Sequence, residues 1–285
     1  MAYTYTEFEG AAGFLGSARE VLEREEAANS LMLGIALRLV DEPAYYGSRP
    51  YMAVVEAGST LCGAAVMTPP FRLQVWAGAE LDQVALGLVA DGLLQGRWPV
   101  AGVIGCQAAA EAFAVAWRSR TGANWSAGMW MKLYELRHVE HPRYPPGHAR
   151  PASAQDLDLV RRWAWAFHDA CFDDDRHDRT VRGAQGSVES GRLMLWVDGE
   201  PCAMAARIRP TPHGEAVGLV YTPTEARRRG YASAVVAQVS QRILDDGKRF
   251  CTLYADLANP TSNSIYRSIG YRPVADVVEI DFGEG

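Results

Sequence analysis

Two hydrophobic periods alternate along the second half of the chain. From Ala216 to Tyr221 apolar and small residues follow one another as in a buried strand, and Pro223 closes the run. From Ala232 the apolar residues return at Val235, Val236, Val239 and Ile243, a spacing of three and four that predicts an amphipathic helix. The same reading extends outward. Ala149–Ala152 is a short edge-like strand, Ser153 with Asp156 has capping-box spacing, and Leu157, Leu159, Val160, Trp163 and Phe167 mark a helix. A weaker helix fits 180–190. Leu193–Val197 and Cys202–Ile208 are strands around the turn Asp198-Gly199-Glu200. After Gly247, a plausible helix stop, come a strand at Phe250–Tyr254, a helix opened by Asn259 and Pro260 and ended by Gly270, and a last strand at Tyr271–Phe282.

The first half repeats this order. Ser17 with Glu20 opens a helix, Leu31–Leu39 is a second, and Tyr51–Val55, Leu61–Met67 and Phe71–Trp76 are strands. Glu80–Leu94 is helical, Val100–Ile104 a strand, Ala108–Arg118 helical and Met129–Leu136 a strand. An order α-α-β-β-β-α-β-α-β met twice predicts a tandem duplication. The segment from His138 to Pro151 holds four prolines and a glycine, which suit neither a long helix nor a central strand, so the junction falls near 140–147. The expected domains are 1–140 and 147–285.

Chemistry concentrates between the Ala216–Tyr221 strand and the helix after it. Arg227, Arg228 and Arg229 precede Gly230, Tyr231, Ala232 and Ser233. The first amides of a helix have no internal acceptor and its dipole favours an anion there, while cations at that end are unfavourable. An anionic ligand reconciles the three arginines with the helix start, and Gly230 and Ala232 leave room for close approach; the plain alternative is a helix with a basic first turn. The matching place in the first half has only Gly78-Ala79-Glu80-Leu81, where Glu80 repels phosphate, so that half reads as a degenerate copy.

Composition narrows the classes. With 285 residues, 48% hydrophobic and 22% charged, the chain reads as soluble and globular, and a formal net charge of −6 does not favour nucleic acid. Apolar stretches fall short of the roughly 20 residues a bilayer requires. The first residues are acidic and lack an apolar run, so no secretory signal is expected. Cys62, Cys106, Cys171, Cys202 and Cys251 are scattered without zinc-type spacing and read as reduced, mostly buried thiols of a cytoplasmic protein with no metal.

Two motifs together resemble the GNAT superfamily of acyl-CoA-dependent N-acetyltransferases. Arg227-Arg228-Arg229-Gly230-Tyr231-Ala232 matches the family's (Gln/Arg)-x-x-Gly-x-(Gly/Ala) signature. Asn259 to Tyr271, with Asn263, Ile265, Tyr266 and Gly270, matches its downstream Asn and aromatic-Gly pattern. The resemblance is specific over 148–282; over 1–138 it rests on element order. It implies an α/β fold of α+β type: two tandem GNAT-like domains, each a mixed, mostly antiparallel twisted sheet flanked by helices. Acetyl-CoA is then held by Arg227 to Ser233, backbone at Val220 and Thr222 pairs with its pantetheine arm, and the thioester lies where the strand splays from Phe250–Tyr254. Asn259 and Asn263 share a helix face with Tyr266 and line that wall; Asn259 also reads as a plain N-cap and Tyr266 as a packed aromatic.

The chemistry this implies needs a base for the attacking amine, a donor for the leaving thiolate and an N–H for the oxyanion. Tyr266 is the candidate donor and the strand at Leu219–Tyr221 the source of the N–H. Glu215 is the candidate base, although the family position matches Ala216, and an offset of one residue turns a strand side chain to the other face unless a bulge intervenes. Asp173, Asp174, Asp175 and His177 lie in the loop that borders the acceptor site in the family; the plain reading is a solvated loop. The expectation is an N-acetyltransferase acting on a small primary amine, with no nucleic acid or membrane partner and with a homodimer admitted. The alternatives are a non-catalytic acyl-CoA-binding regulatory module and an acetyltransferase acting on a protein amine.

Overall fold

The computed structural model describes residues 2–78, 81–172 and 174–283. In chain order the elements are β1 (Tyr3–Glu7), α1 (Ala11–Arg24), α2 (Ser30–Asp41), β2 (Tyr51–Ala57), β3 (Thr60–Met67), β4 (Leu73–Ala77), α3 (Gln83–Gln95), β5 (Gly102–Cys106), α4 (Gln107–Thr121) and β6 (Trp125–Leu136). The second half continues with β7 (His148–Pro151), α5 (Leu157–Cys171), α6 (His177–Glu189), β8 (Leu193–Asp198), β9 (Glu200–Pro210), β10 (Gly214–Tyr221), α7 (Tyr231–Asp245), β11 (Phe250–Asp256), α8 (Pro260–Ile269) and β12 (Arg272–Phe282). The chain is an α/β fold of mixed, mostly antiparallel sheet flanked by helices, as the resemblance implied.

Two compact units emerge, and neither is one contiguous segment. The first is Met1–Leu133 with Asp256–Ala258 and Val274–Gly285; the second is Tyr134–Ala255 with Asn259–Pro273. The expected boundaries at 1–140 and 147–285 follow the chain, whereas the units exchange pieces near its end.

In the first unit the strands run β1-β2-β3-β4-β5-β12, antiparallel except for β4 beside β5. β12 pairs with β5 from Val277↔Cys106 to Asp281↔Gly102. Both faces are covered, which is why β2 is apolar at nearly every position rather than alternating. Met52 and Val54 join Phe14, Leu22 and Leu33 of α1 and α2, while Tyr51 and Val55 join Leu86 and Phe113 of α3 and α4. Val278 and Ile280 belong to the second of these cores, and Phe282 stacks on Trp117 with ring centres 5.8 Å apart. The sequence reading omitted β1 and began α1 too late. The helix starts at Ala11 with Gly10 as N-cap, because the buried stripe of Phe14, Leu15, Ala18 and Leu22 begins before Ser17, which is exposed.

In the second unit the order is β7-β8-β9-β10-β11, antiparallel except for β10 beside β11. α5 and α6 cover one face through Val160, Trp163 and Ala184, and α7 and α8 cover the other through Val235, Val239 and Ile269. The capping box at Ser153 and Asp156 is present ahead of α5. The thiols are less enclosed than expected: Cys251 is buried, Cys62, Cys171 and Cys202 are half-buried and Cys106 is exposed.

Candidate functional site

The site in the second unit begins with a parallel pair that does not stay paired. β10 and β11 are in register at Gly214↔Phe250, Glu215↔Cys251 and Ala216↔Thr252, and the pairing ends there although β10 continues to Tyr221 and β11 to Asp256. On the other side of β10 the ladder to β9 shifts register between Glu215 and Ala216 and again between Gly218 and Tyr221. Leu219 has φ +51°, a conformation unusual for a non-glycine residue. A bulge bends a strand and increases its local twist, which turns the end of β10 away from β11 and leaves backbone N–H and C=O groups facing a gap. Thr222, just past the strand, has a buried hydroxyl with no hydrogen-bond partner among the described residues.

The gap leads to the arginine turn. Gly230 is the N-cap of α7 at φ +84°, and no side chain caps this helix. The first bond of helical type runs from Ala234 N–H to the Gly230 carbonyl at 3.0 Å, so the amides of Tyr231, Ala232 and Ser233 have no acceptor within the helix. Arg228 is also left-handed, at φ +61°. Arg227 donates through Nε to the Thr222 carbonyl at 3.1 Å, which ties the turn to the end of the strand, and Arg227 to Gly230 are exposed. The contrast with the first unit is sharp. There the N-cap of α3 is Asp82, whose carboxylate accepts from Ala85 N–H at 3.0 Å and fills the place an anion would take. Glu80, expected to repel phosphate, lies outside the described residues.

The turn is held by partners that the sequence did not connect to it. Tyr231 is buried, and its hydroxyl donates to Asp198 in the β8–β9 turn at 2.6 Å; that bond pushes its pKa up to about 12. The proline-rich segment read only as a junction also takes part. Tyr144 stacks on Trp196 at 5.8 Å, the Pro146 carbonyl accepts from Trp196 Nε1 at 3.0 Å, and Pro145 lies 3.8 Å from where a Cβ on Gly230 would stand. Proline–aromatic packing has no periodic signal. Beside the turn opens a cleft of about 890 Å³ that includes Arg150, Arg162, Trp163, Glu225 and Arg229 in its lining.

The other predicted residues divide. Asn259 is the N-cap of α8, accepting from Ser262 N–H at 3.1 Å. Asn263 is buried; its amide donates to the Asn259 carbonyl at 2.8 Å and its oxygen accepts from Tyr134 at 2.8 Å. Asn259 therefore serves α8 itself, and Asn263 ties that helix to Tyr134 of β6. Tyr266 is buried on the same helix, its ring 6.4 Å from Tyr134 and 6.0 Å from Tyr271, and burial raises its pKa above the ordinary phenol value. Its hydroxyl has no hydrogen-bond partner among the described residues.

Glu215 does not fit the role of base. The expected bulge follows it, yet its side chain is 1% exposed and both oxygens are taken: one by Arg192, the other by Arg207 at 2.7 Å through Nη2 and 3.1 Å through Nε. Neither is free to accept a proton from an amine. In the loop between α5 and α6, Asp174 is engaged by Arg176 and by buried His168, and the Arg176 bond holds its carboxyl well below the usual range. His177 pairs with Asp169, which raises its pKa. Asp175 is exposed, and Asp173 lies outside the described residues. Among the described residues no cluster of His, Cys, Asp and Glu could hold a metal, and no helix is long and apolar enough to cross a membrane.

Comparison with known proteins bears on this arrangement. A model of the family described as FR47-like protein matches residues 196–278, which span the turn, β11 and α8. No curated protein matches the sequence. Among solved structures, a GNAT-family acetyltransferase from Colwellia psychrerythraea is 13% identical with a TM-score of 0.58, covering 98% of this chain and 100% of that one. A GCN5-related N-acetyltransferase from Sphaerobacter thermophilus is 16% identical with a TM-score of 0.64, covering 98% and 95%. A tandem GNAT protein from the clavulanic acid biosynthesis pathway is 14% identical with a TM-score of 0.60, covering 99% and 98%. The resemblance to the GNAT superfamily is thus borne out in the fold: the chain has the architecture of the GNAT N-acetyltransferases, tandem members included, and its second half carries the FR47-like segment.

Proposed function

We propose that the second unit binds acetyl-CoA and transfers its acetyl group directly to the primary amine of a small molecule, and that the first unit is a degenerate copy without a phosphate cradle. The observation that carries this reading is the gap between β10 and β11 beyond Ala216 and Thr252, which opens toward an uncapped helix start with a left-handed glycine. These residues fit an acyl-CoA. The turn from Arg227 to Ser233, exposed over Arg227 to Gly230, offers amide donors and guanidinium groups to a pyrophosphate. Backbone groups of Leu219, Val220 and Thr222 face the gap, where a pantetheine arm can pair as an added strand does. Asn259 and Asn263 support the wall by fixing α8 and are not assigned contacts of their own.

Bound acetyl-CoA supplies an acyl group activated as a thioester. The chain's own groups meet the remaining needs. Tyr266, kept protonated by burial, gives its hydroxyl proton to the departing thiolate. An N–H of the bulged Leu219–Tyr221 segment, turned out of the ladder, stabilises the oxyanion. The amine loses its proton to a group other than Glu215. A non-catalytic acyl-CoA-binding module and a protein-amine acetyltransferase share the cradle; the buried phenol facing no partner favours the enzyme over the module.

The test has two stages. Calorimetry with acetyl-CoA should show saturable binding that Gly230→Glu abolishes, since a side chain at φ +84° is strained and its carboxylate stands where the phosphate belongs. A thiol-release assay over a panel of small amines should then show turnover with at least one. Unchanged affinity in the variant sinks the cradle assignment, while binding without release for any amine or protein amine favours the non-catalytic module.

A further inference from the structure

The first unit contains a cleft of about 560 Å³ that acetyl transfer leaves unused. It is walled by the end of α1, Asn29 just before α2, the β2–β3 turn at Ser59–Leu61 and the end of β4 at Trp76–Gly78. Arg24 lines it as well, its guanidinium engaged by Glu20 at 2.9 Å; the other polar groups offer negative charge or oxygen acceptors. The side chain of Glu25, the C-cap of α1, has no hydrogen-bond or ion-pair partner among the described residues; its backbone carbonyl accepts from Asn29 N–H at 3.0 Å. Asn29, one turn on, is 8% exposed; its amide nitrogen donates to the Leu22 carbonyl at 2.9 Å, and its oxygen accepts no hydrogen bond among the described residues. The C-terminal end of a fourteen-residue helix adds the negative end of its dipole. Trp76 contributes a half-buried indole.

A carboxylate, a side-chain amide oxygen, a helix C-terminus and an aromatic ring all suit a cation that donates hydrogen bonds. They repel a phosphate, and the neighbouring α3 start is already capped by Asp82. We propose that this cleft binds a small primary organic ammonium ion, with the ammonium between Asn29 Oδ1 and Glu25 and the body of the ligand against Trp76. The hydroxyls of Ser59 and Thr60 suit a ligand whose body is partly polar. The proposal is one of binding, and it stands independently of the reaction proposed for the second unit.

The test is calorimetry on the full chain with two matched pairs, tyramine against tyrosol and glucosamine against glucose, which differ by an ammonium in place of a hydroxyl. At least one amine is expected to bind and its neutral partner not to. Glu25→Gln and Trp76→Leu are each expected to weaken binding at least about tenfold; both residues belong to the first unit, so that loss separates this site from an acceptor pocket in the second. Absence of binding by both amines, equal binding of the neutral partners, or an amine affinity indifferent to Glu25→Gln overturns the proposal. Glu25 is exposed, so that variant retains the fold even if Trp76→Leu does not.

Discussion

The hydroxyl of Tyr266 sits beneath aromatic neighbours with no hydrogen bond of its own among the described residues, and a phenol so placed is retained as a donor rather than lost as a proton to water. Tyr266→Phe removes one atom and keeps the ring packing. It is expected to lower turnover about a hundredfold, the range of a lost general acid, while acetyl-CoA affinity measured by calorimetry stays within about twofold. Equal turnover would remove Tyr266 from the chemistry and leave it a packed aromatic. Glu215 makes the opposite case. Glu215→Gln keeps the shape but takes the countercharge from Arg192 and leaves Arg207 with Asp246 alone, around a buried position. The expected cost is about 3 kcal/mol, read as a lower urea midpoint, with turnover of the folded enzyme preserved. A collapse of turnover at unchanged stability would restore Glu215 as the base.

At the scale of elements, the start of α5 shows how a short signal reaches beyond itself. The capping box at Ser153 and Asp156 was legible from spacing, since a cap and the third helical residue are neighbours in sequence. Arg150, whose guanidinium grips Asp156 through two bonds of 2.8 Å and fastens β7 to the helix, was not, because a strand-to-cap ion pair has no period. That grip, aided by bonds from Ser153, holds the Asp156 carboxyl well below the usual range. A depressed folded pKa adds stability that is fully present above the unfolded value of about 4 and is lost as pH falls through the folded one. Asp156→Asn should therefore lower the urea midpoint at pH 7, and the gap from the parent should close as pH drops below about 4. A constant gap across that window would show that the charge contributes nothing. The cradle followed the same division. Gly230 and the helix after it were readable from the residues, but the gap beside β10 was implied by the family resemblance alone, since Val217, Leu219 and Tyr221 are as apolar as in a fully paired strand and the positive φ at Leu219 marks the bulge.

For the whole molecule, repeated element order exposed a duplication but not how the duplicates are built. Val277, Val278 and Ile280 would suit an edge in either half; what fixes the partner is local fit in the first unit. A Cβ on Gly102 would come within 2.3 Å of the Ile280 carbonyl, so only glycine allows this approach of β5 to β12. Arg72 meets Asp281 at 2.7 Å and Glu279 at 3.1 Å, and Phe282 closes over Trp117. The first unit is thus assembled from both ends of the chain, and this predicts how the protein behaves when cut. A fragment of residues 1–140 lacks β12, leaving the β5 edge unpaired and the aromatic core around Phe113 and Trp117 uncovered. Unpaired apolar edges aggregate, so that fragment alone should be insoluble, whereas co-expression with 141–285 should give a soluble pair that co-purifies. Ile280→Asp in the second fragment should abolish the rescue, since it sets a charge in a position 1% exposed. A soluble, folded 1–140 fragment on its own would show instead that the first unit closes without the last strand, and that β12 is an addition to it rather than part of its core.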